Sequence, residues 1–402
     1  MSDIYLARQP IYDRDLNVYA YELLFRNNKT NQAGIVDGDQ ATADVIVNTF
    51  MEIGLNNIVG DRLAFINLTR SFIVDERPVS LPKDRVVLEL LEDIDPDEEV
   101  IQAARRFTKE GYTLALDDFI FHESLRPLVE IASIIKIDVM ALDQQQIREH
   151  VTELRQYPLK LLAEKIESQA MYRYCVELGF DYFQGYFFAQ PVIIQGQRLP
   201  NNRLAILRLL GRLQDASISA KQLEELVSQD VALSFRILRY INSASLSLPR
   251  KVESIHEAVV LVGLQNIKNW SLLLAMSSVD NKPVELVTMA MIRGKMAELL
   301  ATKMDLANPE SFFTVGLFSA LDALVDNSME EILTQLPLAD HIAKALLHHE
   351  GTHGDILNCV LTYERGDWEA ISCNMLSMPE IRTCYLEALK WAGQMRQQLV
   401  QS

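Results

Sequence analysis

Along the first half of the chain, short runs of alternating or continuous apolar residues recur at intervals of about 20 to 30 residues, the rhythm of strands set between helices. They read NVYAYELLF, RLAFINL, RVVLELL, TLALDDF, SIIKIDV, LKLLAEKI and FDYFQGYFF. Most are separated by text with apolar positions three and four apart. DEEVIQAARRFTKEG is such a stretch, and it stops on Gly111 as a helix with a glycine C-terminus does. Alternation of strand and amphipathic helix predicts a parallel sheet. Seven or eight such units within about 195 residues favour a closed α/β barrel, with an open doubly wound sheet as the alternative.

The pattern changes after QPVIIQGQRLPNNR, where glycine, proline and asparagine gather without periodicity and mark a linker. From Leu204 onward strand signals nearly vanish. Helix starts are readable instead: Ser219 with Gln222, Ser254 with Glu257 and Ser328 with Glu331 fit the reciprocal capping box. The expected organisation is an α/β barrel over residues 1–195 followed by an all-α domain over residues 203–402. No fixed-period repeat or low-complexity tract points to a solenoid or a disordered arm.

Charge narrows the partners. The 402 residues carry 38 basic and 55 acidic side chains, a formal charge of -17, so a nucleic acid or an anionic membrane meets a repulsive field. An anionic ligand then needs a local site built from metal ions or arginines. No apolar run approaches the roughly 18 residues of a membrane span. MSDIYLARQP lacks the basic start and apolar stretch of a secretion signal. Four cysteines without CxxC spacing suit a reducing compartment, and the expectation is a soluble cytoplasmic protein.

In an α/β barrel, chemistry sits at the C-terminal ends of the strands. The last polar residues of the runs are Glu22, Asn67, Glu89, Asp117 with Asp118, Lys136, Glu164 and Gln184. A single acidic residue at a strand end is more often a helix cap or a solvated loop carboxylate. Apart from Lys136 the set is acidic or amide, with no histidine or cysteine. Such all-oxygen surroundings suit Mg²⁺ or Mn²⁺ rather than zinc. Two ions bridged by the aspartate pair would clamp the attacking and leaving oxygens of a phosphodiester. Beside two cations, the charged form of Lys136 would be disfavoured, and the amine would position or deprotonate water. This reading gives an oxygen-rich pocket without naming a substrate.

Taken with Gln9-Pro10, the segments YELLFR, FINLT, LELLE, LALDDF, IIKID, LLAEKIE and FQGYFF, through Pro191, resemble the EAL domain family of cyclic di-GMP phosphodiesterases and their non-catalytic relatives. The signature triplet is here Glu22-Leu23-Leu24. By position, the resemblance implies that Glu22, Asn67, Glu89, Asp117, Asp118 and Glu164 bind metal. It implies that Lys136 and Glu167 work with Glu164 in catalysis, that Gln9, Arg26 and Gln184 hold the nucleotide, and that Glu92 anchors the loop after the aspartate pair. The family also dimerises through the barrel near that loop, which implies a homodimer.

The chain departs from the family at two positions and one loop. Leu23 replaces alanine, Lys165 replaces the glycine after Glu164, and Phe119-Ile120-Phe121-His122-Glu123 replaces a glycine-rich loop. Losing both loop glycines removes conformations of positive φ. Lys165 either meets a phosphate of the ligand or caps a solvated loop.

The second half is similar to the HDOD domain, through Asp230, Ala232, Leu233, Asn242-Ser243 and Gly263-Leu264. Ser319-Ala320 stands where metal-dependent relatives carry His-Asp. His341, His348, His349 and His353 read as residues of helix C-termini rather than metal ligands, and Trp270, Met289, Met291 and Met296 read as core. The order of the two domains resembles a class of bacterial signalling proteins. The leading reading is a barrel that binds cyclic di-GMP with Mg or Mn, and a helical half that relays this to a protein partner. The alternatives are an active phosphodiesterase releasing linear pGpG, and a scaffold that binds nothing at the pocket.

Overall fold

The computed structural model describes residues 4–27, 54–74, 81–92, 94–120, 122–190, 201–215, 217–242, 251–279, 282–336, 338–373 and 376–400. Most of the linker, 191–200, lies outside them, as do Phe121 and Ser243.

Eight strands close a barrel in sequence order: β1 Ile4–Tyr12, β2 Val18–Asn27, β3 Leu63–Leu68, β4 Val86–Leu90, β5 Thr113–Leu116, β6 Ile134–Asp138, β7 Lys160–Glu164 and β8 Tyr182–Gln184. The closed alternative is therefore the one adopted. From β2 to β8 every pairing is parallel, but β1 runs antiparallel to both β2 and β8. The expectation of a wholly parallel sheet is corrected here, and the reason is loop length. A parallel crossover needs about a dozen residues or more. Only Asp13–Asn17 joins β1 to β2, a turn closed by Asp13 Oδ1, which accepts from the N–H groups of Asp15 and Asn17 at 2.9 Å. The strand itself was hidden in the sequence because Arg8-Gln9-Pro10 interrupts its apolar text and proline removes a ladder donor.

Ile11, Ala20, Phe65, Val87, Ala115, Ile134 and Leu162, one from each of β1 to β7, fill the barrel interior as a buried layer. Around it, helix Glu98–Glu110 behaves as its sequence requires: Asp97 caps the N-terminus by accepting from Val100 N–H, and Gly111 ends it in the left-handed region at φ 99°.

By contacts the chain forms two compact units. One is Met1–Phe188 with Thr362–Ile371 and Met378–Arg382; the other is Ala189–Leu361 with Ser372–Ser377 and Thr383–Ser402. By this division the first unit also takes two segments from within 203–402. The first unit claims the 362–371 segment through aromatic burial: Tyr363 OH donates to Leu6 O at 3.2 Å, and the Trp368 ring lies 5.9 Å from Tyr5 and 5.1 Å from Tyr363.

The second unit is helical among its described residues. Helices Val284–Lys303 and Pro309–Phe318 approach closely at Gly294 and Gly316. A Cβ on Gly316 would overlap the Arg293 carbonyl, and one on Gly294 would lie 2.9 Å from Phe313 O. Trp270, Met289, Met291 and Met296 are buried, as core residues should be. Ser219 and Gln222 form both halves of a capping box, while Ser254 and Ser328 each accept from the N–H three residues on. Ser319 Oγ, at the position of the missing His-Asp pair, accepts from Arg293 at 3.3 Å and donates to Gly316 O at 2.7 Å. Two of the histidines stand at a helix C-terminus, and one packs on an aromatic ring. His348 ends helix Asp340–His348, His349 caps it at φ 53°, and His353 stacks on Phe312 with ring centroids 3.8 Å apart.

Candidate functional site

One step of strand periodicity builds the site. Side chains two residues apart on a strand share a face. Moving two residues toward the barrel mouth from the buried layer gives Gln9 from Ile11, Glu22 from Ala20, Asn67 from Phe65, Glu89 from Val87, Asp117 from Ala115, Lys136 from Ile134 and Glu164 from Leu162. On β8 the same step leads from Tyr182, which packs against the layer, to Gln184. An apolar floor is therefore topped by a ring of charged and amide groups. Ladder register ties the ring together, with Gln9 opposite Glu22, Asn67 opposite Glu89 and Ile11 opposite Gln184.

Lys136 stands at the centre and is 1% exposed. Its Nζ lies 2.5 Å from Asp117 Oδ1, 3.0 Å from Glu89 Oε1, 3.1 Å from Glu164 Oε2 and 3.4 Å from Glu22 Oε2. Amides complete the shell. Gln184 Nε2 donates to Glu22 Oε2 at 2.6 Å and Gln9 Oε1 at 3.0 Å, and Asn67 Nδ2 donates to Glu22 Oε1 at 3.2 Å.

Four carboxylates around one ammonium leave an excess of negative charge, and the acids share it unequally. Burial, the largest effect, drives Glu89 and Glu164 well above the usual carboxylate range, and the neighbouring carboxylates Glu22 and Asp117 add to it. Asp117 is raised for the same reasons. Glu22 is lowered instead: its burial is outweighed by the charge of Lys136 together with hydrogen bonds from Gln184, Asn67 and Lys136. For Lys136, burial opposes the charge, but Glu22, Glu89, Glu164 and Asp117 together hold it well above the ordinary lysine value. These four carboxylates favour the ammonium of Lys136; the loss of charge expected from the sequence was tied to two neighbouring cations.

Asp118 is handled separately. It turns at φ 42°, and its carboxylate faces Lys165, whose Nζ lies 3.1 and 3.0 Å from the two oxygens and 2.7 Å from Asp138 Oδ2. Lys165 thus pairs with an expected metal ligand, a partner that neither of its expected roles named. No signal in the sequence could have placed Asp138 there, since it lies 27 residues away and on a different strand.

The remaining expected residues are dispersed. Glu167 is exposed beyond β7 and takes no part in the contacts of Lys136. Glu92 is exposed after β4 and makes no hydrogen bond or ion pair with the described residues of the loop after Asp118. That loop is fixed from within by Phe119, 4% exposed, whose N–H donates to Lys136 O at 3.0 Å, while Ile120 is 47% exposed. Arg26 sits on β2 opposite Tyr5, and its side chain lies outside what is described.

The donor set can be tested against a divalent cation. Among the described residues no three His, Cys, Asp or Glu side chains converge as a metal shell; the oxygens converge on Lys136 Nζ instead. In other respects the set fits. Every donor is a hard oxygen, and Glu89 Oε2 and Asn67 Oδ1 are buried without a hydrogen-bond partner. A buried carboxylate oxygen without a donor is costly, and a small hard cation removes that cost.

Two family models match the chain: the EAL domain over residues 2–191 and the HDOD domain over residues 199–350. The chain is 36% identical over 399 residues to the uncharacterized protein YuxH of Bacillus subtilis, covering 96% of this chain and 98% of that protein. It is 32% identical over 401 residues to the cyclic di-GMP phosphodiesterase CdgJ of Vibrio cholerae, covering 98% and 93% respectively. Among solved structures, a calcium and cyclic di-GMP complex of BlrP1 from Klebsiella pneumoniae is 19% identical, with a TM-score of 0.39, covering 46% of this chain and 54% of that one.

Proposed function

This chain belongs to the family that joins an EAL domain to an HDOD domain, and from that premise we propose that its barrel binds cyclic di-GMP in signalling, with the help of a divalent cation. The observation that carries the reading is the gathering of hard oxygen donors at the mouth: Glu22, Glu89, Asp117 and Glu164 within 3.4 Å of Lys136 Nζ. Such donors give up their protons to a divalent cation. A cation held there attracts a phosphodiester.

Glu22, Asn67, Glu89, Asp117, Asp118 and Glu164 are the residues that would hold Mg²⁺ or Mn²⁺. A cation bound there supplies positive charge to a non-bridging phosphate oxygen. The protein supplies the rest. Lys136 keeps a fixed positive charge on the floor of the mouth, and the Gln9–Gln184 amide pair offers donors and acceptors to a base or ribose, with Arg26 available from β2 for a phosphate. The helical unit is proposed to relay occupancy to a protein partner, and the barrel to mediate any homodimer.

Hydrolysis to linear pGpG is a second reading, favoured by likeness over nearly the whole length to a protein named as a phosphodiesterase. One experiment tests both. The purified chain is mixed with cyclic di-GMP and Mg²⁺ or Mn²⁺, with binding followed by calorimetry and product by chromatography, alongside Glu22→Ala and Glu89→Ala. Metal-dependent binding lost in either variant is the expected result. Product lost in the same variants adds turnover. Neither binding nor product from the wild type would overturn both readings.

A further inference from the structure

Lys165 has a backbone φ of 58°, a left-handed conformation that glycine adopts freely and lysine does not. The surroundings impose it. Ile166 N–H donates to Gln184 O at 3.0 Å, Phe187 N–H donates to Ile166 O at 3.1 Å, and Gly185, at φ 145°, admits the Ile166 backbone where any Cβ would overlap its carbonyl. Residue 165 is thereby fixed at the mouth beside Glu164. An unfavourable conformation that the fold maintains at a site is a reason to ask what the side chain does there.

Its ammonium takes both oxygens of Asp118, at 3.1 and 3.0 Å, and Asp138 Oδ2 at 2.7 Å. Lys136 meanwhile takes the other four acids of the ring. The two lysines divide the carboxylates between them: Asp118 pairs with Lys165 and also hydrogen-bonds to Glu164, which belongs to the ring around Lys136. Asp118 is the acid that would complete an aspartate pair bridging two ions, so the lysine stands on the side where a second ion would bind.

We infer that Lys165 is a tethered cation replacing one of two divalent ions, so that this site takes a single metal ion. The inference rests on the proposed reading that the mouth binds divalent cations at all. Each contact of Lys165 is half exposed and individually weak. What argues for the role is one ammonium bridging two carboxylates from a backbone held in the conformation that permits it.

The test is metal stoichiometry on the full chain. Chelator-stripped protein is titrated with Mn²⁺ alone, and the free aqueous ion is followed by electron paramagnetic resonance. Site binding is defined as the part lost in Glu89→Ala. Lys165→Gly suits the positive φ, Lys165→Met keeps the bulk without the charge, and Lys165→Arg keeps the charge. The expected result is one site ion in the wild type and Lys165→Arg, and two in Lys165→Gly and Lys165→Met, with spin coupling between paired ions in those spectra. Two ions in the wild type, or one in the uncharged variants, overturns the inference while leaving cation binding intact. No Glu89-dependent binding in any of these proteins overturns the cation reading itself, and the inference with it.

Discussion

Lys136 Nζ lies 2.5 Å from Asp117 Oδ1, with three further carboxylates within 3.4 Å, so one buried ammonium is the hub on which the acidic ends of β2, β4, β5 and β7 are held together. Removing one partner of a buried ionic cluster strands the others, at a typical cost of about 3–5 kcal/mol. Lys136→Met is therefore expected to lower the unfolding free energy of the chelator-treated protein by that order, read from chemical denaturation. Millimolar Mg²⁺ or Mn²⁺ should recover part of the loss by binding the folded state. Equal loss with and without the cation would count against cation binding here.

Glu89 behaves in the opposite way to a ligand that is merely exposed. Burial already favours its neutral acid, which glutamine imitates. Glu89→Gln should change the stability of the metal-free protein by less than about 1 kcal/mol while weakening Mn²⁺ binding by about tenfold or more. Parallel melts and Mn²⁺ titrations separate the two effects.

Gly185 connects β8 to the Lys165 loop. Alanine there meets the Ile166 carbonyl and a φ of 145°. We expect Gly185→Ala to destabilise the barrel by about 3 kcal/mol or more, or to force the loop out of place. Urea unfolding followed by tyrosine fluorescence, with soluble yield as a control, reads the first outcome. Loss of cyclic di-GMP binding in a folded variant reads the second.

His353 gives a pH dependence in the helical unit. Burial, with the nearby His341 ring at 4.7 Å, lowers it to about 4 from an ordinary 6.5. The folded state thus keeps it neutral, stacked on Phe312 and 2.7 Å from Ser311 Oγ. Its contribution is fully present above pH 6.5 and is lost as the pH falls toward 4, because the unfolded chain takes up the proton first. The ring is partly exposed, so about 1 kcal/mol is the expected size after screening. Denaturation midpoints of wild type and His353→Gln at pH 7.5 and 5 should converge on acidification; a constant gap would remove His353 as the cause.

Much of this molecule is written in local pattern. Apolar runs gave β2 to β8, Gly111 and Ser219 marked helix ends, and reading the last polar residue of each run led to Glu22, Asn67, Glu89, Lys136, Glu164 and Gln184. That reading works because a strand has a period of two: a residue two steps beyond a core position faces the same interior, whatever its partners are.

The sequence by itself determined which side chains ring the mouth. Tertiary structure alone decided how they share charge. Lys136 and Glu22 are 114 residues apart and Lys165 and Asp118 are 47 apart. Pairing at such separations follows from barrel closure, and proton affinity follows from burial that no local pattern encodes. The same holds for β1, whose direction is set by a turn too short for a helix, and for Lys165, whose backbone is bent to positive φ by Ile166 and Gly185. Local periodicity supplies the acids and amides of this site; long-range packing brings to them the two lysines that hold them.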